Sequence, residues 1–99
     1  MAAQTSAPRG YTASKDQIGT RLRRIEGQVR GIERMVEEDR YCVDILTQIS
    51  AIQAALDKVA LGLLDGHVRH CVIDGHGEGT PVEMTDEVMA AVGRLMRRG

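Results

Sequence analysis

Two cysteines and one histidine are the side chains of this sequence with the clearest chemistry. Cys42, His67 and Cys71 all fall in the stretch 41–71, which contains no proline. Thiolates and imidazoles form a soft ligand set for transition metals. His67 and Cys71 are four residues apart, so on a helix their side chains are neighbours and could hold one metal ion. The spacing therefore indicates metal binding, provided that the stretch is helical.

The hydrophobic pattern of residues 41–71 is that of a helix. Aliphatic residues recur at alternating three- and four-residue steps, at Ile45, Ile49, Ile52, Leu56, Val59 and Leu63. We predict one helix of about eight turns. At about 100° per residue, Cys42 and Cys71 lie within about 20° of each other around the axis, with His67 close to both. All three then lie on the apolar stripe.

The length of this helix limits what one chain can do. His67 follows Cys42 by 25 residues, which at a rise of about 1.5 Å per residue is roughly 37 Å. One metal ion cannot contact both ends of one straight helix. Two alternatives remain. Either the three residues are unrelated, or Cys42 meets His67 and Cys71 of a second chain in an antiparallel pair, which would make two equivalent sites.

A first helix precedes this one. Ser14 followed by Gln17 has the form of a capping box, and the apolar period that follows extends to about Glu38. The connection at residues 39–40 is short, so the first two helices should form an antiparallel hairpin.

The ends of the chain complete the predicted fold. Three glycines and a proline in residues 74–81 interrupt the helical pattern, and Thr85 is the predicted cap of a short third helix. Residues 1–13 are small and polar and are predicted to be a disordered tail. The expectation is an all-α, three-helix protomer in a single domain at residues 14–98.

Composition favours association of such protomers. The 99 residues include two aromatic side chains and no Trp or Phe, so the core must be aliphatic and small. No signal-peptide pattern or membrane-spanning run is present, which predicts a cytoplasmic protein without membrane partners, whose cysteines are thiols or ligands. No nucleophile–base–acid set converges, so we do not expect an enzyme.

Charge bears on nucleic-acid binding. The formal net charge of −1 argues weakly against a DNA-binding domain. Residues 1–30, however, carry six basic and two acidic side chains, so a local basic patch remains compatible with the sequence.

The segment RLRRIEGQVRGIERMVEEDRYC, residues 21–42, resembles the signature of the copper-sensitive operon repressor family. The resemblance continues through Lys58, His67, Cys71 and Glu87 and covers about residues 15–97. It implies antiparallel dimers with a four-helix-bundle core, which pair into tetramers and bind operator DNA. It also implies that Cys42, His67 and Cys71 are the effector ligands, shared across the dimer interface.

The resemblance assigns further roles. Tyr41 and Glu87 would hydrogen-bond the nitrogen of His67 that does not bind the effector. Glu87 also has a simpler explanation, because a carboxylate in the predicted first turn of the third helix favours the helix dipole. The residues implied or plausible as DNA contacts are Arg21, Lys58, Arg23 and Arg24.

Ligand chemistry selects among the effectors of the family. Two thiolates and one imidazole suit Cu(I), with one ion per protomer. Nickel and cobalt sensors commonly add an N-terminal histidine, and this chain has no histidine before His67. A persulfide sensor would not need His67, and a formaldehyde sensor would not need Cys71.

The function expected from the resemblance is Cu(I)-responsive repression. The metal-free protein would bind the operator of copper-resistance genes, and Cu(I) would release it; a copper chaperone is a candidate metal donor. The alternatives are a sensor of another effector of the family, or a helical copper-binding or storage protein that does not bind DNA.

Overall fold

The computed structural model describes residues 10–73, 75 and 79–97, and all regular structure in these residues is helical. The α-helices are α1 (Lys15–Glu37), α2 (Cys42–His67) and α3 (Pro81–Met96). A 3-10 turn at Thr12–Ser14 precedes α1, and a π-helical segment at Val68–Ile73 follows α2. The prediction of an all-α, three-helix protomer is confirmed. Most of the predicted tail at residues 1–13 lies outside the described residues.

The chain divides into two compact units. One unit consists of residues 14–62, and the other of residues 63–97 together with the segment that precedes residue 14. We call them the hairpin unit and the terminal unit. The single domain at residues 14–98 stays a prediction.

The hairpin unit contains α1 and the first part of α2. Ile25 of α1 and Val59 of α2 are its buried residues among those described. The other members of both predicted apolar stripes are partly or largely exposed, including Leu22, Val29, Ile49 and Leu56. Each stripe is therefore only partly covered within one protomer.

The connection between α1 and α2 is a Schellman motif without glycine. The backbone N–H of Arg40 donates to the carbonyl of Met35 at 3.0 Å, and that of Asp39 donates to Val36 at 3.1 Å. These are the paired hydrogen bonds that close such a helix end. Asp39 takes the left-handed conformation, with φ at 54°, which aspartate tolerates better than most residues. The predicted turn at residues 39–40 is correct.

The predicted capping box of α1 is wrong. Ser14 is the N-cap, as expected, but its side chain makes no capping hydrogen bond. Its φ of −106° and ψ of 9° lie outside the extended conformation in which a serine cap usually points at the helix N-terminus. The helix nevertheless begins where the sequence pattern placed it.

The predicted start of α3 is also wrong, because the helix begins earlier, at Pro81. Thr80 and Glu83 form a reciprocal capping box: the Glu83 backbone N–H donates to the Thr80 hydroxyl, and the Thr80 backbone N–H donates to the Glu83 carboxylate, both at 3.2 Å. Pro81 was interpreted as a helix breaker, yet proline is favoured at the first helical position. Thr85 lies inside the helix, where its hydroxyl donates to the Pro81 carbonyl at 2.8 Å.

In the terminal unit, α3 packs against the π-helical segment, and Met84 is buried. The unit also contains a close contact between two glycines. A Cβ atom on Gly66 would lie 2.6 Å from the carbonyl oxygen of Gly10, and a Cβ atom on Gly10 would overlap the carbonyl of Gly66. Only glycine at both positions allows the segment before α1 to pass this close to the end of α2.

No helix in the described part of the chain is long and apolar enough to cross a membrane.

Replacement of Thr80 by alanine should destabilise α3, whereas Thr85→Ala should not. Loss of an N-cap side chain costs about 1 kcal/mol, and Thr85 is a helix-interior position where alanine is favoured. The measurement is urea unfolding at fixed protein concentration, with amide hydrogen exchange of residues 82–84, since Pro81 has no backbone N–H. Equal effects of the two substitutions would contradict the observed helix start.

The cap also predicts a pH dependence. Hydrogen bonds with Thr80 lower the pKa of Glu83 below its ordinary value. The stabilisation is therefore complete above the pKa of an unfolded glutamate and is lost as the pH falls through the lowered value. The stability difference between the parent and Thr80→Ala should shrink in that acidic range.

Candidate metal ligands and basic groove

Cys42 lies at the start of α2 in the hairpin unit. It is the first residue of the helix, its side chain is exposed, and its thiol is free. The carbonyl of Tyr41 accepts the first backbone hydrogen bonds of the helix, from Asp44 at 3.0 Å and Ile45 at 3.3 Å. The Tyr41 side chain is 67% exposed. Both predicted residues at this position are therefore accessible to a partner.

His67 and Cys71 lie in the terminal unit. His67 is the last residue of α2, Cys71 belongs to the π-helical segment, and both are half-buried. The prediction of one α-helix through residue 71 is thus wrong beyond His67. π-Helical turns use i→i+5 hydrogen bonds and are frequent at functional sites. Because Cys71 lies in π-helical geometry, the predicted angle of about 20° between Cys42 and Cys71 around an α-helix axis does not apply.

An ion pair crosses the change from α- to π-helical geometry. The Nε of Arg69 donates to Oδ1 of Asp65 at 2.9 Å, and this hydrogen bond raises the pKa of Arg69. Both side chains are exposed, so solvent screens the pair. His70, which belongs to the π-helical segment, is half-buried. His76 lies outside the described residues.

Glu87 belongs to α3, the helix that packs against the π-helical segment. Because α3 begins at Pro81, Glu87 lies beyond the first turn, and the helix-dipole explanation of this carboxylate no longer holds. Its side chain is exposed. The proposed hydrogen bonds from Tyr41 and Glu87 to His67 stay predictions.

Within the described residues of one protomer, no three His, Cys, Asp or Glu side chains come close enough together to hold a metal ion.

A basic groove lies between α1 and α2 in the hairpin unit. Its volume is about 370 Å³. The side chains of α1 that line it are Arg21, Arg24, Ile25 and Gln28, and those of α2 are Ala51, Ala54, Ala55 and Lys58. Three cations therefore line one groove, and no carboxylate is among the lining residues. Such a surface favours an anionic partner.

The groove follows from the antiparallel register of the hairpin. Arg21 and Lys58 lie equally far along the chain from the connection between α1 and α2, as do Gln28 and Ala51. Residues related in this way face one another across an antiparallel pair. The hairpin thus brings Arg21 and Lys58, two of the predicted DNA contacts, to one surface.

Of the other two predicted DNA contacts, Arg23 and Arg24, one lines the groove and the other does not. Arg24 lines the groove. Arg23 is not among the lining residues, and its guanidinium donates to the Thr20 hydroxyl at 3.1 Å. Gln28 and the three alanines also line the groove, although the sequence analysis does not predict them there. The only signal for Gln28 in the sequence is its position seven residues after Arg21, on the same face of α1.

Comparison with known proteins shows the family of this chain. Residues 14–94 match the family model of metal-sensitive transcriptional repressors, and the chain belongs to this family. The chain is 55% identical to the copper-sensing transcriptional repressor RicR of Mycobacterium tuberculosis over 94 residues, which cover 93% of this chain and 98% of RicR. It is 63% identical to the copper-sensing transcriptional repressor CsoR of Bacillus subtilis over 76 residues, covering 73% of this chain and 75% of that protein.

A solved structure gives the same result. The crystal structure of the copper-sensing repressor CsoR with Cu(I) from Geobacillus thermodenitrificans NG80-2 superposes with a TM-score of 0.80 at 44% identity. The match covers 98% of this chain and 100% of that one. The resemblance identified from the sequence is thereby confirmed.

Proposed function

We propose that this protein is a Cu(I)-responsive transcriptional repressor of the cytoplasm. Its metal-free form binds operator DNA through the basic groove, and Cu(I) binding at Cys42, His67 and Cys71 releases the DNA. The observation that carries the proposal is the construction of α2. The same helix supplies Lys58 to the groove, begins at Cys42 and ends at His67.

The donor set supports Cu(I) as the effector. Both cysteines are free thiols with accessible surface, and two thiolates with one imidazole match the preference of this soft ion. The relatives named above are described as copper-sensing repressors. When bound, Cu(I) would serve as the signal, with one ion per protomer; a copper chaperone is a candidate donor.

Sharing of the ligands between two chains is supported by the length of α2. With 26 residues in the helix and a rise of about 1.5 Å per residue, Cys42 and His67 of one chain are too far apart for one ion. An antiparallel partner places Cys42 of one chain beside His67 and Cys71 of the other. The proposed dimer has the two-fold symmetry of an isologous interface.

The exposed apolar surface of the hairpin unit supports the same dimer. Ile49 is 38% exposed and Leu56 43% exposed, although both belong to the apolar stripe of α2, which needs a covering layer. Two hairpin units that cover each other's stripes form the proposed four-helix-bundle core. Pairing of two such dimers gives the proposed tetramer.

The coupling between metal and DNA is proposed to depend on His67. An imidazole that binds a metal is usually oriented through its second nitrogen, and Tyr41 and Glu87 are the proposed partners. They belong to different units of the chain, since Tyr41 precedes α2 and Glu87 lies in α3. A hydrogen-bonded unit of this kind would favour a shape of the assembly with lower DNA affinity. Typical couplings of this kind are about 1–3 kcal/mol.

Replacement of Arg21 or Lys58 by alanine should weaken operator binding. Each substitution removes a cation from the groove, so the affinity should fall and the slope of log K against log salt should decrease by about 1. Arg34→Ala is the matched control, because Arg34 is an exposed arginine of α1 that is not among the groove residues. The measurement is operator binding by fluorescence anisotropy at several salt concentrations. Unchanged binding by both groove variants would place the DNA surface elsewhere.

Replacement of His67 by alanine should separate metal binding from DNA release. The variant should still bind Cu(I), more weakly, because two thiolates remain, but it should stay on the operator when metal is added. Cys42→Ala should lose tight Cu(I) binding, since one thiolate remains in each site. His70→Ala is the control histidine and should respond like the parent protein.

The measurement is a paired titration of Cu(I) affinity and operator affinity on the same preparation. Complete release of DNA by metallated His67→Ala would show that the imidazole is a ligand only and that the coupling has another origin. Failure of the parent protein to bind operator DNA in either state would reject the repressor function itself.

A further inference from the structure

The basic groove has two chemically different ends. At one end, Arg21 of α1 faces Lys58 of α2, and Arg24 lies one turn further along. Gln28 and Ala51 line the end nearer the connection, and their equal distance along the chain from that connection relates them across the antiparallel pair. The cations are therefore concentrated at one end, and the other end combines a neutral amide with a methyl-lined wall.

Gln28 is available for recognition. Its side chain is exposed, and the structure shows no hydrogen bond to its amide from the rest of the described chain. A glutamine amide both donates and accepts hydrogen bonds. Ala51 and Ala54, on the opposite wall, have side chains too short to cover it. A partner that enters the groove therefore reaches a free amide beside apolar methyl groups.

The two ends match the two kinds of contact that a DNA duplex offers. Guanidinium and ammonium groups bind phosphates, which fixes the position of a protein without recognising sequence. Glutamine pairs with the N6 and N7 atoms of adenine in the major groove, and an alanine methyl contacts the methyl group of thymine. An amide and an alanine wall on one surface thus fit the edge of an A·T pair.

We propose that Gln28 determines operator specificity by pairing with an adenine in the major groove, with Ala51 or Ala54 against a thymine methyl group, while Arg21, Arg24 and Lys58 hold adjacent phosphates. The inference rests on the proposed function, because it assumes that DNA binds at the basic groove. It adds the residue that recognises sequence and the base that this residue recognises.

The test uses the metal-free protein and a duplex enriched by it from a random-sequence library. Each adenine of the bound region is replaced in turn by 7-deazaadenine, which lacks N7, and each thymine by uracil, which lacks the methyl group. The affinity of the parent protein should fall when 7-deazaadenine replaces one particular adenine of the bound region. Replacement of that whole A·T pair by G·C should lower the affinity by about 5- to 150-fold. Absence of any position sensitive to 7-deazaadenine would overturn the proposal without use of a variant.

Gln28→Ala then connects the sensitive base to the residue. The variant should bind the enriched duplex more weakly, become insensitive to 7-deazaadenine at that position, and keep the salt dependence of the parent protein. Gln53→Ala is the matched control, because Gln53 is an exposed glutamine of α2 that is not among the groove residues. Arg21→Ala should instead weaken binding to all duplexes and reduce the salt slope.

The outcomes distinguish this proposal from the function on which it rests. If Gln28→Ala weakens binding to all duplexes equally and reduces the salt dependence of that binding, Gln28 contacts a phosphate. The proposal then fails while the repressor function stands. If Gln28→Ala retains sensitivity to 7-deazaadenine, another residue recognises that base. If the parent protein enriches no duplex, the proposed function fails. Cu(I) affinity and oligomeric state, measured on each variant, identify effects that come from misfolding.

Discussion

The structure depends on one length, that of helix α2. Cys42 is its first residue and His67 its last, and the helix has 26 residues. At a rise of about 1.5 Å per residue, the distance between Cys42 and His67 along α2 far exceeds the reach of one metal ion, whose bonds to its ligands are about 2.0–2.3 Å long. A metal site with all three ligands therefore requires a second chain. The partly exposed apolar stripes of the hairpin unit are the surface that a second chain would cover, so the proposed site and the proposed oligomer have the same origin.

The same helix carries two of the proposed metal ligands and part of the proposed DNA surface. α2 contributes one wall of the basic groove and is continuous, as an α-helix, from Cys42 to His67. A packed helix transmits displacement because it changes between discrete arrangements rather than deforming freely. The π-helical segment and α3 follow at its C-terminal end, where Cys71 and Glu87 lie. We infer that a change at the ligands alters how the hairpin units are arranged and thus how their grooves fit one duplex.

Much of this could be predicted from sequence, and the failures have physical causes. The bounds of α1 and the hairpin turn follow from hydrophobic period and length. The start of α3 was missed because Pro81 can end one helix or begin another, and the Thr80–Glu83 box decides between them. The π-helical segment leaves no signal in residue period. Residue type alone makes Cys42, His67 and Cys71 candidate ligands, and that assignment stays a prediction. Gln28 resembles any solvent-exposed residue until the antiparallel register, in which Gln28 and Ala51 both line the groove, relates it to Ala51.

The central claim is that each metal site takes ligands from two chains, and a mixed dimer tests it most directly. A Cys42→Ala protomer and a Cys71→Ala protomer, each defective alone, are purified together as a heterodimer with two different affinity tags. In an antiparallel pair, one end contains Cys42 of one protomer with His67 and Cys71 of the other, all intact. The account predicts one tight Cu(I) site per heterodimer and none in either homodimer. A heterodimer without tight Cu(I) binding would contradict the account.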